Sequence, residues 1–120
     1  MSIKISIHEI ANATILTITG RITLGASGPS IQDRVRELFK TGHRNIIIDL
    51  GGVTYLDSSG LGQLVGSYAT AASQGREIKL LNLNKRVHDL MQITKLYAVF
   101  QIYTDEATAA QSFELTAVPA

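Results

Sequence analysis

The stretch from Asp49 to Gly66, D-L-G-G-V-T-Y-L-D-S-S-G-L-G-Q-L-V-G, is where this chain's side chains could do chemistry. Asp57, Ser58 and Ser59 stand directly before Leu61, Leu64, Val65, Tyr68, Ala69 and Ala72, an apolar repeat at helical spacing. The three polar side chains therefore belong at a helix N-terminus, where four backbone N–H groups lack intrahelical partners. One of them caps those donors, a contribution of about 1 kcal/mol, and the others are free to face solvent. A cap and nothing more is the plainest account. Gly60 and Gly62 argue against it. Glycine costs up to about 1 kcal/mol inside a helix, so two in the first turn, with Gly66 one turn on, point to something that approaches the backbone closely.

Catalytic alternatives fail on spacing. A serine-hydrolase elbow needs glycines two before and two after the nucleophile, yet Leu56 and Asp57 hold the preceding positions for Ser58 and Ser59. Gly60, Gly62 and Gly66 miss the dinucleotide-loop spacing by one residue and lie inside the helical stripe. His8, His43 and His88 show no metal-ligand spacing, and cysteine is absent, which removes thiol nucleophiles and sulfur-based zinc sites. Asp49 and Asp57 could form an acid/base pair, but Asp49 ends a buried strand with no further polar groups around it. No catalytic residue, metal or cofactor is expected.

The elements that must position this turn can be read along the chain. Ile3, Ile5 and Ile7 alternate as in a strand, and Thr14–Thr19 is a β-rich run, so a hairpin across Glu9–Ala13 is the economical arrangement. Ile22–Leu24 is read as a brief third strand. After the breaker-rich Gly25–Ser30 a helix carrying Ile31, Val35, Leu38 and Phe39 starts, with Ser30 as cap or Pro29 already in its first turn, and Gly42 terminates it. Asn45–Leu50 is apolar without alternation, as in a strand covered on both faces, and Gly51-Gly52 is read as its break, with a turn over Val53–Leu56. The glycine-spaced helix then runs to Gly75. Glu77–Leu83 forms a strand, Asn84 or Asn82 caps a helix with Val87, Leu90 and Met91, Val99–Tyr103 forms a last strand, and Thr104 or Asp105 opens a final helix. This order predicts an α/β fold: a single domain over 1–113, a mixed four- to five-stranded sheet layered with about four helices, and a frayed tail over 114–120.

Composition agrees with one folded unit. The chain has 120 residues, 45% of them hydrophobic, enough for a single core. Eleven Lys and Arg against ten Asp and Glu leave a net charge of +1, and the basic residues are scattered, which disfavours nucleic-acid binding. The N-terminus lacks a continuous apolar stretch, and the longest such run, Leu96–Phe100, is far short of a bilayer span, so no direct membrane insertion and a cytoplasmic location are expected.

I-I-I-D-L followed by V-T-Y-L-D-S-S-G-L-G-Q-L resembles the STAS domain, the module shared by bacterial anti-sigma factor antagonists and the cytoplasmic ends of sulfate transporters. T-I-L-T-I-T-G-R-I-T looks like the family's second strand and following loop, and L-L-N-L-N-K-R-V-H-D-L-M-Q-I-T-K-L like its late strand and third helix. The resemblance implies an anti-sigma factor antagonist that binds an anti-sigma factor with serine kinase activity and is inactivated when phosphorylated, with a serine phosphatase to reset it. It implies Ser58, directly after the motif Asp, as phosphoacceptor. Around it, Asp57, Ser59, Gly60, Leu61 and Gly62, with Arg21 and Thr23 from the earlier loop, would meet the partner. One position departs: Gly20-Arg21-Ile22-Thr23 carries Thr23 where antagonists usually carry an acid. An alternative with the same fold is a constitutive accessory subunit of a transporter or signalling complex.

Overall fold

The computed structural model describes residues 3–23 and 30–116, with side chains through Phe113. Strand β1 (Lys4–Ile10) pairs antiparallel with β2 (Ala13–Ile22), from Lys4↔Thr19 to Ile10↔Ala13. The hairpin connection is tighter than expected: Ala11, at φ 52°, and Asn12 suffice. Ile22 does not start a third strand. It ends β2, paired with Leu56, and Leu24 lies outside the described residues. Of the predicted loop Gly25–Ser30, residues 25–29 lie outside them as well.

Helix α1 (Ile31–Lys40) begins as expected, with Ser30 Oγ accepting from the Asp33 N–H and with Ile31, Val35, Leu38 and Phe39 buried. It gives way at Thr41 to Gly42, whose φ of +99° suits glycine.

Strand β3 is longer than the sequence suggested, running over Ile46–Leu56 straight through Gly51-Gly52. Its parallel register with β2 shows why. Thr17 to Thr19 spans Asp49 to Gly52, and Gly20 to Arg21 spans Val53 to Tyr55, so β3 carries extra residues as bulges. A Cβ at Gly52 would come within 2.6 Å of Thr19 Cγ2. The glycines mark a bulge and a close strand approach, not an end.

Helix α2 (Ser58–Ser73), strand β4 (Ile78–Leu81), helix α3 (Lys85–Thr94), strand β5 (Ile102–Tyr103) and helix α4 (Glu106–Thr116) follow. Asn84, not Asn82, caps α3, its Oδ1 accepting from the Val87 N–H. Lys95 closes α3 in the left-handed region, and the chain makes a 3₁₀ turn over Leu96–Ala98, which shortens the expected last strand to Ile102–Tyr103. Asp105 accepts from the backbone and hydroxyl of Thr108, which together hold its carboxyl below the ordinary aspartate range. This capping is present at neutral pH and lost only as pH falls through that lowered value. Helix α4 continues past Phe113, the expected edge of the ordered domain, to Thr116.

The sheet order is β1-β2-β3-β4-β5, with every pair after the hairpin parallel. Alternate residues separate two cores. Leu16, Ile18, Ile46, Ile48 and Leu80 face a large cluster with Val35, Leu64, Val87 and Met91 from α1, α2 and α3. Ile15, Ile47 and Leu81 face a smaller cluster with Ala109, Ala110 and Phe113 of α4. Lys79 is fully buried on that second side, its Nζ donating to Ser112 Oγ at 2.7 Å and lying 4.4 Å from the Phe113 ring centroid. Its long stem fills space that an apolar side chain could fill. Lys79→Met is therefore expected to unfold within about 1 kcal/mol of wild type in urea, whereas Lys79→Ala, which leaves a cavity, should cost about 2–3 kcal/mol.

Candidate functional site

The site forms where β3 hands over to α2. Asp57 is extended, at φ −99° and ψ −174°, and its Oδ1 accepts from the Gly60 N–H at 2.9 Å and from Ser59 Oγ at 2.9 Å. Of the three polar residues before the helix, Asp57 is thus the cap and half-buried Ser59 is tied to it. Ser58 is exposed, and among the described residues no hydrogen bond engages its Oγ. The helix N-terminus places a partial positive charge beside that hydroxyl and so favours an anion there. Removing the cap tests this division of labour. Asp57→Ala should lower stability by about 1 kcal/mol in chemical denaturation and release the Ser59 hydroxyl, while leaving Ser58 exposed.

The three glycines of α2 do different jobs. A Cβ on Gly60 would stand 2.4 Å from the Ile22 carbonyl oxygen and 2.6 Å from Leu56 Cδ1. What approaches Gly60 is the chain's own β2, and the residue is buried, so the structure removes it from the outer face. Gly66 makes room for the Gln32 side chain of α1. Gly62 is exposed and has nothing within 4 Å of its missing Cβ. It alone of the three leaves backbone open to another molecule. Gln63 Oε1 accepts from the Ile31 N–H at 2.9 Å, which pins the start of α1 against α2.

The apolar stripe of α2 is turned from the one its sequence suggests. Gly60, Leu64, Ser67 and Ala71 are buried. Leu61 and Tyr68 pack on the core edge half-buried, Ala69 and Ala72 are exposed, and Val65 is 39% exposed. Gly60 faces inward because β2 approaches it there, and Gly62, Val65 and Ala69 form an exposed strip, with Leu61 half-buried beside it, leading away from Ser58.

The β2 end reaches the same place. Arg21 pairs in register with Tyr55 and Ile22 with Leu56, and the Asp57 N–H donates to the Ile22 carbonyl at 3.3 Å. Arg21 is exposed, its guanidinium carbon 4.6 Å from the Tyr55 ring centroid, and Thr23 is half-buried just beyond the strand. Sequence reasoning missed Tyr55 and Arg86, whose guanidinium carbon lies 5.9 Å from the same centroid. No spacing signal joins Arg21, Tyr55 and Arg86, because only the register of β2 on β3 and the entry of α3 bring them together. Asp49 is apart from this turn, with its Oδ1 accepting from the Gly51 N–H, so the two aspartates form no acid/base pair. Among the described residues no cluster of potential metal ligands occurs, and no helix is long and apolar enough to cross a membrane.

Known proteins resemble this chain in sequence and in fold. The family model described as the STAS domain matches residues 4–109. An anti-sigma-B factor antagonist of Bacillus subtilis is 32% identical over 102 residues, covering 85% of this chain and 92% of that protein. An anti-sigma F factor antagonist of Paenibacillus polymyxa is 24% identical over 115 residues, covering 96% and 98%. Among solved structures, an anti-sigma factor antagonist from Mycobacterium paratuberculosis superposes with a TM-score of 0.79 at 18% identity, covering 92% of this chain and 93% of that one, a likeness of fold. With the mixed sheet, the Asp57-capped helix and these matches along nearly its whole length, the chain belongs to the STAS domain family.

Proposed function

We propose that this chain is an anti-sigma factor antagonist: a binding module with no catalytic step of its own, which docks on an anti-sigma factor with serine kinase activity while Ser58 is unmodified. Phosphorylation of Ser58 ends the interaction, and a serine phosphatase restores it. The docking face comprises the turn Asp57–Ser59, Leu61 and Gly62, with Arg21 and Thr23 at its side. A cytoplasmic location follows from such partners.

The observation that carries this reading is the division of labour at the helix start. Asp57 caps, Ser59 is bonded to Asp57, and the Ser58 hydroxyl alone stands exposed and uncommitted. A phosphoserine carries about −1.5 to −2 charges, which the helix N-terminus tolerates, so its effect falls on the complex and not on the fold. Incubation with a kinase-type anti-sigma factor and ATP should add one phosphoryl group by intact mass, located to Ser58 by peptide fragmentation and missing in Ser58→Ala. Equal incorporation into Ser58→Ala would overturn the assignment.

Thr23 favours a second reading. Without an acid in that loop, the same face suits a constitutive accessory subunit that is never phosphorylated. Intact mass of the protein from its native cells separates the two, since a switched protein carries phosphate on part of the population.

A further inference from the structure

Two guanidinium groups converge on one aromatic ring beside the Ser58 turn. The guanidinium carbons of Arg21 and Arg86 lie 4.6 Å and 5.9 Å from the Tyr55 centroid, both within the range of a cation–π contact. They arrive from different elements: Arg21 from the end of β2, Arg86 from the first turn of α3, and Tyr55 from the end of β3. Ile22, next in the chain to Arg21, accepts the Asp57 N–H, so the stack adjoins the start of α2.

Arg76 gives the contrast. It too lies over a ring, 4.9 Å from the Phe39 centroid, but its Nη1 donates to the His43 carbonyl at 3.0 Å and so ties the fold together. Lys85, beside Arg86, is matched by Asp89 at 3.1 Å. Among the described residues, neither Arg21 nor Arg86 has a carboxylate partner or a hydrogen-bond acceptor, and both are exposed. The Gly20–Thr23 segment supplies positive charge and no acid. A guanidinium held over a ring keeps its N–H edge available to a planar, bidentate acceptor, which a carboxylate matches. Because the ring restrains both side chains before binding, less rotamer freedom remains to be lost on contact.

We infer that the Arg21–Tyr55–Arg86 stack receives an Asp or Glu side chain of the partner protein, so that this face selects partners by an acidic patch as well as by access to Ser58. The inference rests on the proposed docking role of this end of the sheet and adds the chemistry of what docks there. Nucleic-acid phosphate fits less well, because the net charge is +1 and Lys85, the cation next to Arg86, is already matched by Asp89.

The test is a titration of the isotope-labelled full chain with a hexaglutamate peptide at low ionic strength, followed by amide and arginine side-chain resonances. Shifts centred on Arg21, Tyr55 and Arg86 are expected, fading as salt is raised. The double substitution Arg21→Gln with Arg86→Gln should weaken the peptide by about tenfold with the amide spectrum otherwise retained. Shifts spread over distant cations such as Lys40 and Arg44, or wild-type binding by the double variant, would overturn the inference. So would tighter binding of duplex DNA or ATP than of the peptide at these residues. The two readouts keep the proposals apart: peptide binding by wild type and the double variant reports on the stack, whereas mass after kinase treatment reports on the phosphoacceptor.

Discussion

Ser58→Asp is expected to weaken binding to the anti-sigma factor by roughly 100-fold or more, while Ser58→Ala binds close to wild type and resists phosphorylation. The magnitude follows from where the charge goes. At the exposed start of α2 a carboxylate meets unpaired backbone N–H groups and gains about 0.3–1 kcal/mol, so the free protein loses no stability. In the docked complex the same carboxylate is desolvated without a counter-charge, which costs several kcal/mol, and each 1.4 kcal/mol is about tenfold in affinity. Calorimetric titration against the anti-sigma factor measures the first effect, and urea unfolding of the free chain measures the second. Wild-type affinity in Ser58→Asp would place the hydroxyl outside the interface. A large loss of stability would mean that the side chain is not facing solvent.

Exchanging two neighbouring glycines of α2 for alanine should give opposite results. Gly60→Ala pushes a methyl group against the Ile22 carbonyl oxygen, 2.4 Å from the ideal Cβ, and against Leu56. Neither β2 nor the first turn of α2 can yield without disturbing the Asp57 cap, so a loss of about 1–3 kcal/mol is expected. Gly62→Ala meets nothing within 4 Å and replaces the poorer helix former, so it should gain up to about 1 kcal/mol. The partner sees the reverse. Gly62→Ala adds a methyl group to the docking face and should weaken the complex several-fold, although the free protein is more stable. Thermal or urea unfolding gives the signs directly. Equal destabilisation by both substitutions would show that Gly62 also packs against the chain itself.

These two glycines show how far a sequence can be read. D-S-S-G-L-G announces a helix start with an unusual cost in glycine, and hence a close approach to that backbone. It does not say by what. The register of β2 on β3, with its bulges, puts the Ile22 carbonyl against Gly60 and leaves Gly62 open. The Gly51-Gly52 pair misled for a related reason, since glycine serves both a chain break and a bulge, and only the neighbouring strand distinguishes them. On α2, helical spacing marked Leu61, Leu64, Val65, Tyr68, Ala69 and Ala72 as an inner face; Leu64 is buried and Leu61 and Tyr68 pack on the core, but Val65, Ala69 and Ala72 are exposed and Gly60, Ser67 and Ala71 turn inward.

By itself the sequence determined the alternation of strands and helices from α1 onward, the helix start at Ser30, a cap for α3 at Asn82 or Asn84, the central place of the Ile46–Leu50 segment and the helix start that carries Ser58. These are local properties, set by hydrogen bonding and apolar spacing within about a dozen residues. Which of Asp57, Ser58 and Ser59 is left uncommitted is also local, set by the bonds of Ser59 and Gly60 to Asp57, but the residue types alone leave it open. Tertiary structure alone decided which glycine faces outward and that Arg21 and Arg86 share the Tyr55 ring, because both depend on strand register and helix packing between residues far apart in the chain, which leave no periodic trace in it.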